Sequence, residues 1–405
     1  MKLTVSNQLV TLGKLRQAWL EPVKVDLGDD ARRRIAESRE LIEDVVAHGD
    51  QVYGVNTGFG QLASVRVGDD ELAHLQENLV RSHAVGVGED LDDNIVRLIM
   101  LMKVIGLAEG FSGVRLELVE RLCDLINNSI YPCIPSRGSV GASGDLAPLA
   151  HMASVLIGLG EVRVDGHVIP ARVALKDAGI EPIRLAPKEG LALLNGTQVS
   201  TALALSAVFR TENVLSAALM AGAMSTDAIQ GSDTPFDRRI QNVRGHGGQI
   251  AVASVLRELL QGSDIRASHI GCDRIQDPYC IRCQPQVTGA CLDVLRHVCG
   301  VLETEANAVT DNPLVFTDSR AVLSGGNFHA EPVALAADYL ALAIAEVGAL
   351  SERRIALLID SHLSGLPAFL VEDSGLNSGF MMAQVTAAAL ASENKSHAHP
   401  ASVDS

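Results

Sequence analysis

Aromatic side chains are scarce in this sequence of 405 residues, which contains eight Phe, four Tyr and one Trp. Because 47% of the residues are nevertheless hydrophobic, we expect a core made mainly of Ala, Leu, Val and Ile, the side chains of closely packed helices. This apolar content excludes a disordered chain. The length allows about two or three domains, or one elongated helical body.

Positive charge is also in deficit. The chain has 33 Lys and Arg against 49 Asp and Glu, which gives a formal net charge of -16. A surface of this sign repels phosphate backbones and anionic membrane surfaces. We therefore expect neither nucleic acid nor a membrane as a partner.

Cysteine is sparse and odd in number, and no apolar signal segment lies in residues 1–12, so a reducing, cytoplasmic setting fits best. The seven cysteines are Cys123, Cys133, Cys272, Cys280, Cys283, Cys291 and Cys299. The run at residues 332–350 is long enough to span a membrane, but it contains Asp338 and Glu346. We interpret it as a buried core helix.

Helical periodicity dominates the chain. Residues 30–48 have the pattern of an amphipathic helix with Ile35, Leu41, Ile42 and Val45 facing inward, and residues 95–107 that of a more buried one. Long Ala/Leu/Val segments typical of a helix bundle follow, at 198–224, 250–260, 290–309, 332–359 and 380–395.

One segment, residues 161–169, shows the alternation of a strand and contains an Asp-Gly turn, which predicts a small hairpin. The expected fold is mainly α. It has an N-terminal domain at residues 1–200 and a bundle of long antiparallel helices at residues 201–405, with a soft boundary near residue 200.

Three glycine-rich or polar stretches interrupt the helical pattern, at residues 53–60, 136–145 and 324–329, and such loops are the first places to look for chemistry. The second has three glycines before an apolar run, and Asp145 is expected to cap the helix that follows. One interpretation of this loop is a phosphate-binding site, but the lysine of a P-loop is missing. Another is a turn that presents a nucleophilic serine, but the segment lacks the G-x-S-x-G spacing. A simple tight turn before a helix also remains open.

Backbone chemistry is a further interpretation of this loop. In Ala142-Ser143-Gly144 the glycine amide nitrogen can approach the carbonyl carbon of Ala142 in a turn too tight for larger residues. Loss of water closes a five-membered ring, and loss of a second water from the Ser143 hydroxyl leaves an exocyclic methylidene. This electrophile is one that no standard side chain provides.

The segment Gly-Ser-Val-Gly-Ala-Ser-Gly-Asp-Leu-Ala-Pro-Leu-Ala at residues 138–150 resembles the signature of the aromatic amino acid ammonia-lyases. Further segments resemble the family in the family's order: Tyr53-Gly-Val-Asn-Thr-Gly-Phe-Gly60, Asn195-Gly-Thr-Gln198, Gln276-Asp-Pro-Tyr279, Arg282-Cys-Gln-Pro-Gln286, Asp311-Asn-Pro-Leu314, Gly325-Gly-Asn-Phe-His-Ala-Glu-Pro332 and Ser351-Glu-Arg-Arg354. The resemblance covers essentially the whole chain.

The resemblance implies the ammonia-lyase/fumarase-like helical architecture and an autocatalytic prosthetic group, 4-methylideneimidazol-5-one, formed from Ala142, Ser143 and Gly144. It implies that Tyr53 is the base that removes the β-proton, although a loop tyrosine taken alone would more often serve packing. Elimination of ammonia needs a base because the β-proton is poorly acidic, and it needs an electrophile because the amino group is a poor leaving group. No metal or nucleotide is expected.

The segment Arg81-Ser82-His83-Ala84 resembles the histidine-selective version within the family, so the implied reaction converts L-histidine to trans-urocanate and ammonia. His83 is the residue expected to face the imidazole. Arg282 matches the residue that binds the α-carboxylate, a role suited to a two-pronged guanidinium, although an ordinary surface ion pair is the alternative. The family's pocket residues are matched by Asn195, Gln276, Tyr279 and Phe328, of which Tyr279 is assigned to catalysis.

Two other functions remain open from the sequence. One is a tyrosine or phenylalanine ammonia-lyase or aminomutase of the same family, and the other is a catalytically silent, truncated helical assembly protein. The resemblance implies a homotetramer with shared active sites. It also implies that family members continue past residue 405 with a segment that supplies an acidic substrate-recognition residue, so Ser405 is expected to be an interruption.

Metal or redox chemistry has weak support. Cys280 and Cys283 form a lone C-x-x-C without a second pair, and their neighbours belong to the lyase resemblance. His397 and His399 likewise give only weak support for a metal site.

Overall fold

The structure is a computed structural model that describes residues 1–48, 52–57, 67–68, 71–271 and 275–403. Helices account for most of these residues, so the predicted mainly-α fold is confirmed. In chain order the elements are β1 Lys2–Val5, α1 Leu12–Leu20, β2 Lys24–Leu27, α2 Asp29–His48, α3 Leu72–His83, β3 Val87–Asp90, α4 Asp93–Ala108, α5 Leu116–Asn127, β4 Tyr131–Pro132, β5 Pro135–Arg137, α6 Leu146–Leu156, β6 Glu161–Val164, β7 His167–Pro170, α7 Ala171–Asp177, α8 Glu189–Leu194, α9 Gln198–Ala228, α10 Arg238–Arg244, α11 Gly247–Leu260, α12 Asp264–Ser268, α13 Tyr279–Arg282, α14 Gln284–Ala306, β8 Leu314–Phe316, β9 Ala321–Leu323, α15 Glu331–Ile359, α16 Ser361–Ser364 and α17 Met381–His397.

The contact pattern divides the chain into two compact units. The first combines Met1–Ser206 with Val301–Ala334, and the second combines Ala207–Gly300 with residues 335–403. The expected domains at residues 1–200 and 201–405 stay a prediction.

The core of the first unit is centred on α4. Every residue of α4 from Ile95 to Ala108 is buried, as its predominantly apolar sequence predicts, and the two charged residues Arg97 and Lys103 are buried with the others. Helix α2 has the predicted amphipathic form with Ile35, Leu41 and Ile42 buried, whereas Val45 is only half-buried.

Short strands complete this unit. The predicted hairpin is confirmed as β6 and β7, which pair in antiparallel register with Val162 opposite Ile169. Strand β4 extends it to three strands. Strands β1 and β2 pair in parallel, and β3 pairs with β5 next to the glycine loop.

The long apolar helix α15 is less buried than its sequence suggests. The helical stretches Glu189–Ala228 and Glu331–Ile359 are long and apolar enough to cross a membrane by length and composition alone, and their most apolar parts are 83% and 33% buried within the chain. The expectation of a buried core helix at residues 332–350 is therefore wrong for most of α15 within one chain. Its exposed apolar side chains include Leu335, Tyr339 and Leu342.

Candidate active site

The glycine loop runs from the end of β5 to the start of α6. Gly138, Gly141 and Gly144 have φ angles of 154°, 74° and 78°, a region that other residues adopt only with strain. Ala142 and Gly144 form an isolated backbone bridge, so the loop turns tightly at Ser143. Ser143 itself is exposed at the tip.

A close backbone approach fixes glycine at position 144. A Cβ there would lie 2.9 Å from the amide nitrogen of Gly196 and 3.2 Å from Asn195 Oδ1, too close for any side chain. The Ala142-Ser143-Gly144 tripeptide therefore combines a tight turn with a position that only glycine can occupy, as ring closure requires. The residues fit the prosthetic group that the resemblance implies.

Asp145 occupies the position before α6, but its side chain accepts no hydrogen bond from that helix. The prediction that Asp145 caps α6 is therefore wrong. The carboxylate is fully buried and accepts instead from the backbone amides of Val199 and Ser200, at 2.9 and 2.8 Å, in the first turn of α9. It also accepts from the hydroxyls of Ser139 and Ser200. Asp145 thus joins the glycine loop to the start of α9.

A cavity of about 300 Å³ in the first unit brings together five of the predicted site residues. These are Tyr53, His83, Ser143, Asn195 and Phe328. Its other lining residues are Leu79, Leu146, Leu191, Leu194 and Asn312. The wall is therefore largely apolar, with a few polar groups and the tip of the glycine loop, the usual composition of a small-molecule site.

Tyr53 lies in the turn that follows α2. The amide nitrogens of Val55 and Asn56 donate to the carbonyl of Val52, at 3.1 and 3.3 Å, and Gly54 has a φ of 72°. Gln76 of α3 donates to the carbonyl of Gly54 at 3.4 Å. The turn is thereby held against α3, which carries His83. Gly58, Phe59 and Gly60 of the same motif lie outside the described residues.

His83 is the last residue of α3 and is half-buried. Its Nδ1 lies 2.8 Å from the carbonyl oxygen of Leu79. When Nδ1 carries the proton, it donates to this carbonyl and leaves Nε2 as the acceptor. His83 can then accept a hydrogen bond from a ligand N–H in the cavity.

Asn195 is 5% exposed and directly follows α8. Its side-chain Nδ2 donates to the carbonyl of Asn312 at 3.1 Å, and its own carbonyl accepts from Lys103 Nζ at 2.7 Å. Neither Asn312 nor Lys103 was among the predicted site residues. Asn312 lies in the Asp311-Asn-Pro-Leu314 motif, so the sequence contained a signal that could have identified it as a site residue. A lysine within an apolar helix pattern gives no such signal.

Gln276, Tyr279 and Arg282 belong to the second unit. Gln276 and Arg282 line a separate cavity of about 380 Å³ there. The Arg282 guanidinium carbon lies 4.6 Å from the ring centre of Tyr279, which is 70% exposed. The buried Nε of Arg282 has no hydrogen-bond partner among the described residues, so the guanidinium retains donor capacity for a carboxylate. These residues do not line the cavity that contains Ser143.

Cys280 and Cys283 are free thiols, and Cys272 lies outside the described residues. Burial raises the pKa of Cys280 above its usual range, which favours the unreactive thiol. His397 lies 3.7 Å from Glu393, and the described part of the chain holds no cluster of three potential metal ligands.

Comparison with known proteins gives a consistent result. The family model described as aromatic amino acid lyase matches residues 10–405. The chain is 57% identical to a histidine ammonia-lyase of Vibrio cholerae and 58% identical to one of Photorhabdus laumondii. Both matches cover 100% of this chain and 80% and 79% of the relatives.

Solved structures match over the full chain as well. The histidine ammonia-lyase of Trypanosoma cruzi has a TM-score of 0.89 at 42% identity, covering 76% of that chain. The phenylalanine aminomutase of Pantoea agglomerans has a TM-score of 0.94 at 32% identity, covering 82% of that chain. The fold is thus shared by enzymes of different substrates.

Proposed function

This chain belongs to the aromatic amino acid lyase family, a family of carbon–nitrogen lyases, and from that membership we propose that it eliminates ammonia from L-histidine to give trans-urocanate. The observation that carries the substrate is the identity of 56–58% to curated histidine ammonia-lyases. Identity to the tyrosine and phenylalanine aminomutases is 32–38%. Those alternatives are therefore not favoured.

The prosthetic group is proposed to form from Ala142, Ser143 and Gly144, whose turn is held by Gly196 and Asn195. Once formed, it supplies the electrophile that captures the substrate and makes its amine a better leaving group. No metal or nucleotide is needed for this elimination.

The chain's own residues supply the other functions. Tyr53 borders the same cavity and is proposed to take the proton from the β-carbon. His83, with Nδ1 donating to Leu79, accepts from the imidazole N–H of the substrate at Nε2. The Asn195 amide and the Phe328 ring line the remaining wall, where they orient the substrate and exclude water.

We propose that the α-carboxylate of the substrate binds Arg282, with Gln276 and Tyr279 beside it. We propose a homotetramer in which each active site combines residues from different subunits. Exposed apolar side chains on the helices of the second unit support an assembly, among them Met220, Met224, Leu342 and Leu390. The proposed compartment is the cytoplasm.

The test is direct. Purified protein is incubated separately with L-histidine, L-tyrosine and L-phenylalanine, and the products are identified as urocanate or a cinnamate. The intact mass is measured in parallel, because ring formation removes two waters from the encoded mass. We expect urocanate alone and the doubly dehydrated mass; formation of a cinnamate without urocanate would contradict the proposed substrate.

Ser143→Ala is the control for the prosthetic group. The alanine cannot lose a hydroxyl, so no methylidene forms, and we expect loss of all lyase activity with helix content by circular dichroism unchanged. Turnover by this variant at the wild-type rate would rule out the proposed group.

A further inference from the structure

Lys103 is a buried lysine in the apolar interior of the first unit. It lies in the middle of α4 and is 2% exposed. Burial lowers its pKa to about 7, against the opposing effect of Asp311 and Asp145 and with a further lowering by Lys188. A lysine at such a position is unfavourable unless its donors are satisfied by specific acceptors.

The acceptors of Lys103 are two backbone carbonyls at the end of α8. Its Nζ donates to the carbonyl of Ala192 at 3.2 Å and to that of Asn195 at 2.7 Å. The last carbonyls of a helix have no partners within the helix, and a lysine is well suited to bind them. These two hydrogen bonds from Nζ therefore fix the direction in which the chain leaves α8.

That exit leads directly to the cavity. Asn195 presents its amide there, and the next residue, Gly196, holds the glycine loop from the other side. The carbonyl of Gly196 accepts from the amide of Asp145 at 2.8 Å, and its nitrogen lies 2.9 Å from the position of a Cβ on Gly144. The Asn195–Gly196 backbone thus supports both the Asn195 side chain and the Ser143 turn.

We propose that Lys103 is a positioning residue for the reaction: it holds the Asn195–Gly196 backbone in place, and through it the Asn195 amide and the turn at Ser143. This inference rests on the proposed function for its kinetic consequence. It concerns a residue that touches neither the cavity nor the substrate.

Lys103→Met removes the donors and keeps the unbranched stem. We expect kcat to fall about 10- to 100-fold, because small displacements of reacting groups are costly, while KM changes by less than about threefold. The same change leaves the carbonyls of Ala192 and Asn195 without a donor. We therefore expect amide hydrogen exchange of Asn195 and Asp145, followed by mass spectrometry, to become at least about tenfold faster.

Arg97→Met is the matched control. Arg97 lies on the same helix, is 5% exposed, and donates to the carbonyls of Ala18 and Trp19. It does not line the cavity of Ser143. We expect Arg97→Met to lower the melting temperature about as much as Lys103→Met does. In contrast to Lys103→Met, it should leave kcat and the hydrogen exchange of Asn195 and Asp145 at the wild-type level. Lys103→Gln retains a donor on a shorter stem and replaces the Met variant if that protein does not fold; a smaller loss of kcat is then expected.

The inference is overturned if folded Lys103→Met or Lys103→Gln protein matches Arg97→Met in kcat and in exchange at Asn195 and Asp145. Absence of urocanate with the wild-type protein would instead reject the proposed function. In that case the exchange comparison alone still decides whether Lys103 positions the Asn195–Gly196 backbone.

Discussion

Tyr53 borders the cavity that holds Ser143, in a turn tied to α3 by Gln76. Tyr53→Phe keeps the ring and removes only the phenolic oxygen. If Tyr53 takes the β-proton, kcat should fall by about 10² to 10⁴ with a modest change in KM, the usual loss for a general base. Steady-state kinetics with L-histidine check this. An increase in KM at constant kcat would make Tyr53 a binding residue.

His83 belongs to the segment that resembles the histidine-selective version within the family, and it lines the cavity of Ser143. His83→Leu should lower kcat/KM for histidine and admit phenylalanine weakly, because a polar pocket rejects substrates that leave its groups unpaired. The measurement compares kcat/KM for both amino acids with the melting temperature. A lower melting temperature with unchanged preference would instead assign His83 to the N-terminal core.

Among the individual residues, the sequence predicted the candidate site side chains that belong to motifs. It did not predict the side chains that hold these site residues in place. Five predicted residues, Tyr53, His83, Ser143, Asn195 and Phe328, lie on one cavity. Lys103 could not be predicted, because a single lysine in an apolar helix pattern is as compatible with a solvent-exposed position as with a buried one. Its role depends on the carbonyls of residues about 90 positions away in the chain, which no local pattern encodes.

Among the elements, those defined by periodicity were predicted well. Helices α2 and α4 and the β6–β7 hairpin agree with the sequence within a few residues. The parallel pair β1–β2 was not predicted, because four-residue strands carry little pattern and their pairing joins distant segments. Burial along α15 was overestimated, since composition does not reveal whether an apolar face is covered by the same chain.

Asp145 links two elements, and its replacement tests that link. Asp145→Ala removes the acceptor for the amides of Val199 and Ser200 and for two hydroxyls, all around a buried carboxylate. We expect the free energy of unfolding to fall by about 3 kcal/mol, because several buried donors lose their partner. Chemical denaturation monitored by circular dichroism measures it.

Asp237→Ala is the matched comparison, since Asp237 caps α10 through the amide of Arg239 at 2.8 Å but at a position that is only partly buried. A much smaller loss is expected there, because water replaces the lost bond. Equal losses in the two variants would show that Asp145 acts as an ordinary helix cap and not as the link between the loop and α9.

Over the whole molecule, the predicted site residues fall into two sets. Ser143 and Asn195 line a cavity of the first unit, and Gln276 and Arg282 line another in the second. The exposed apolar side chains of α9, α15 and α17 favour assembly. The proposed homotetramer with shared sites accounts for both observations, since one subunit then supplies Ser143 and another supplies Arg282.

Subunit mixing tests this sharing. Ser143→Ala and Arg282→Met are each expected to be nearly inactive, the first without the electrophile and the second without its carboxylate ligand. In mixed tetramers some sites combine native Ser143 from one subunit with native Arg282 from another, so co-expression should restore activity to about a quarter of wild type under random assembly. Ser143→Ala mixed with Asn195→Ala is the control, because both residues line the same cavity of one chain. No restoration is expected for that pair, and equal background activity in both mixtures, with mixed tetramers verified by native mass spectrometry, would show that the active site is not shared in this way.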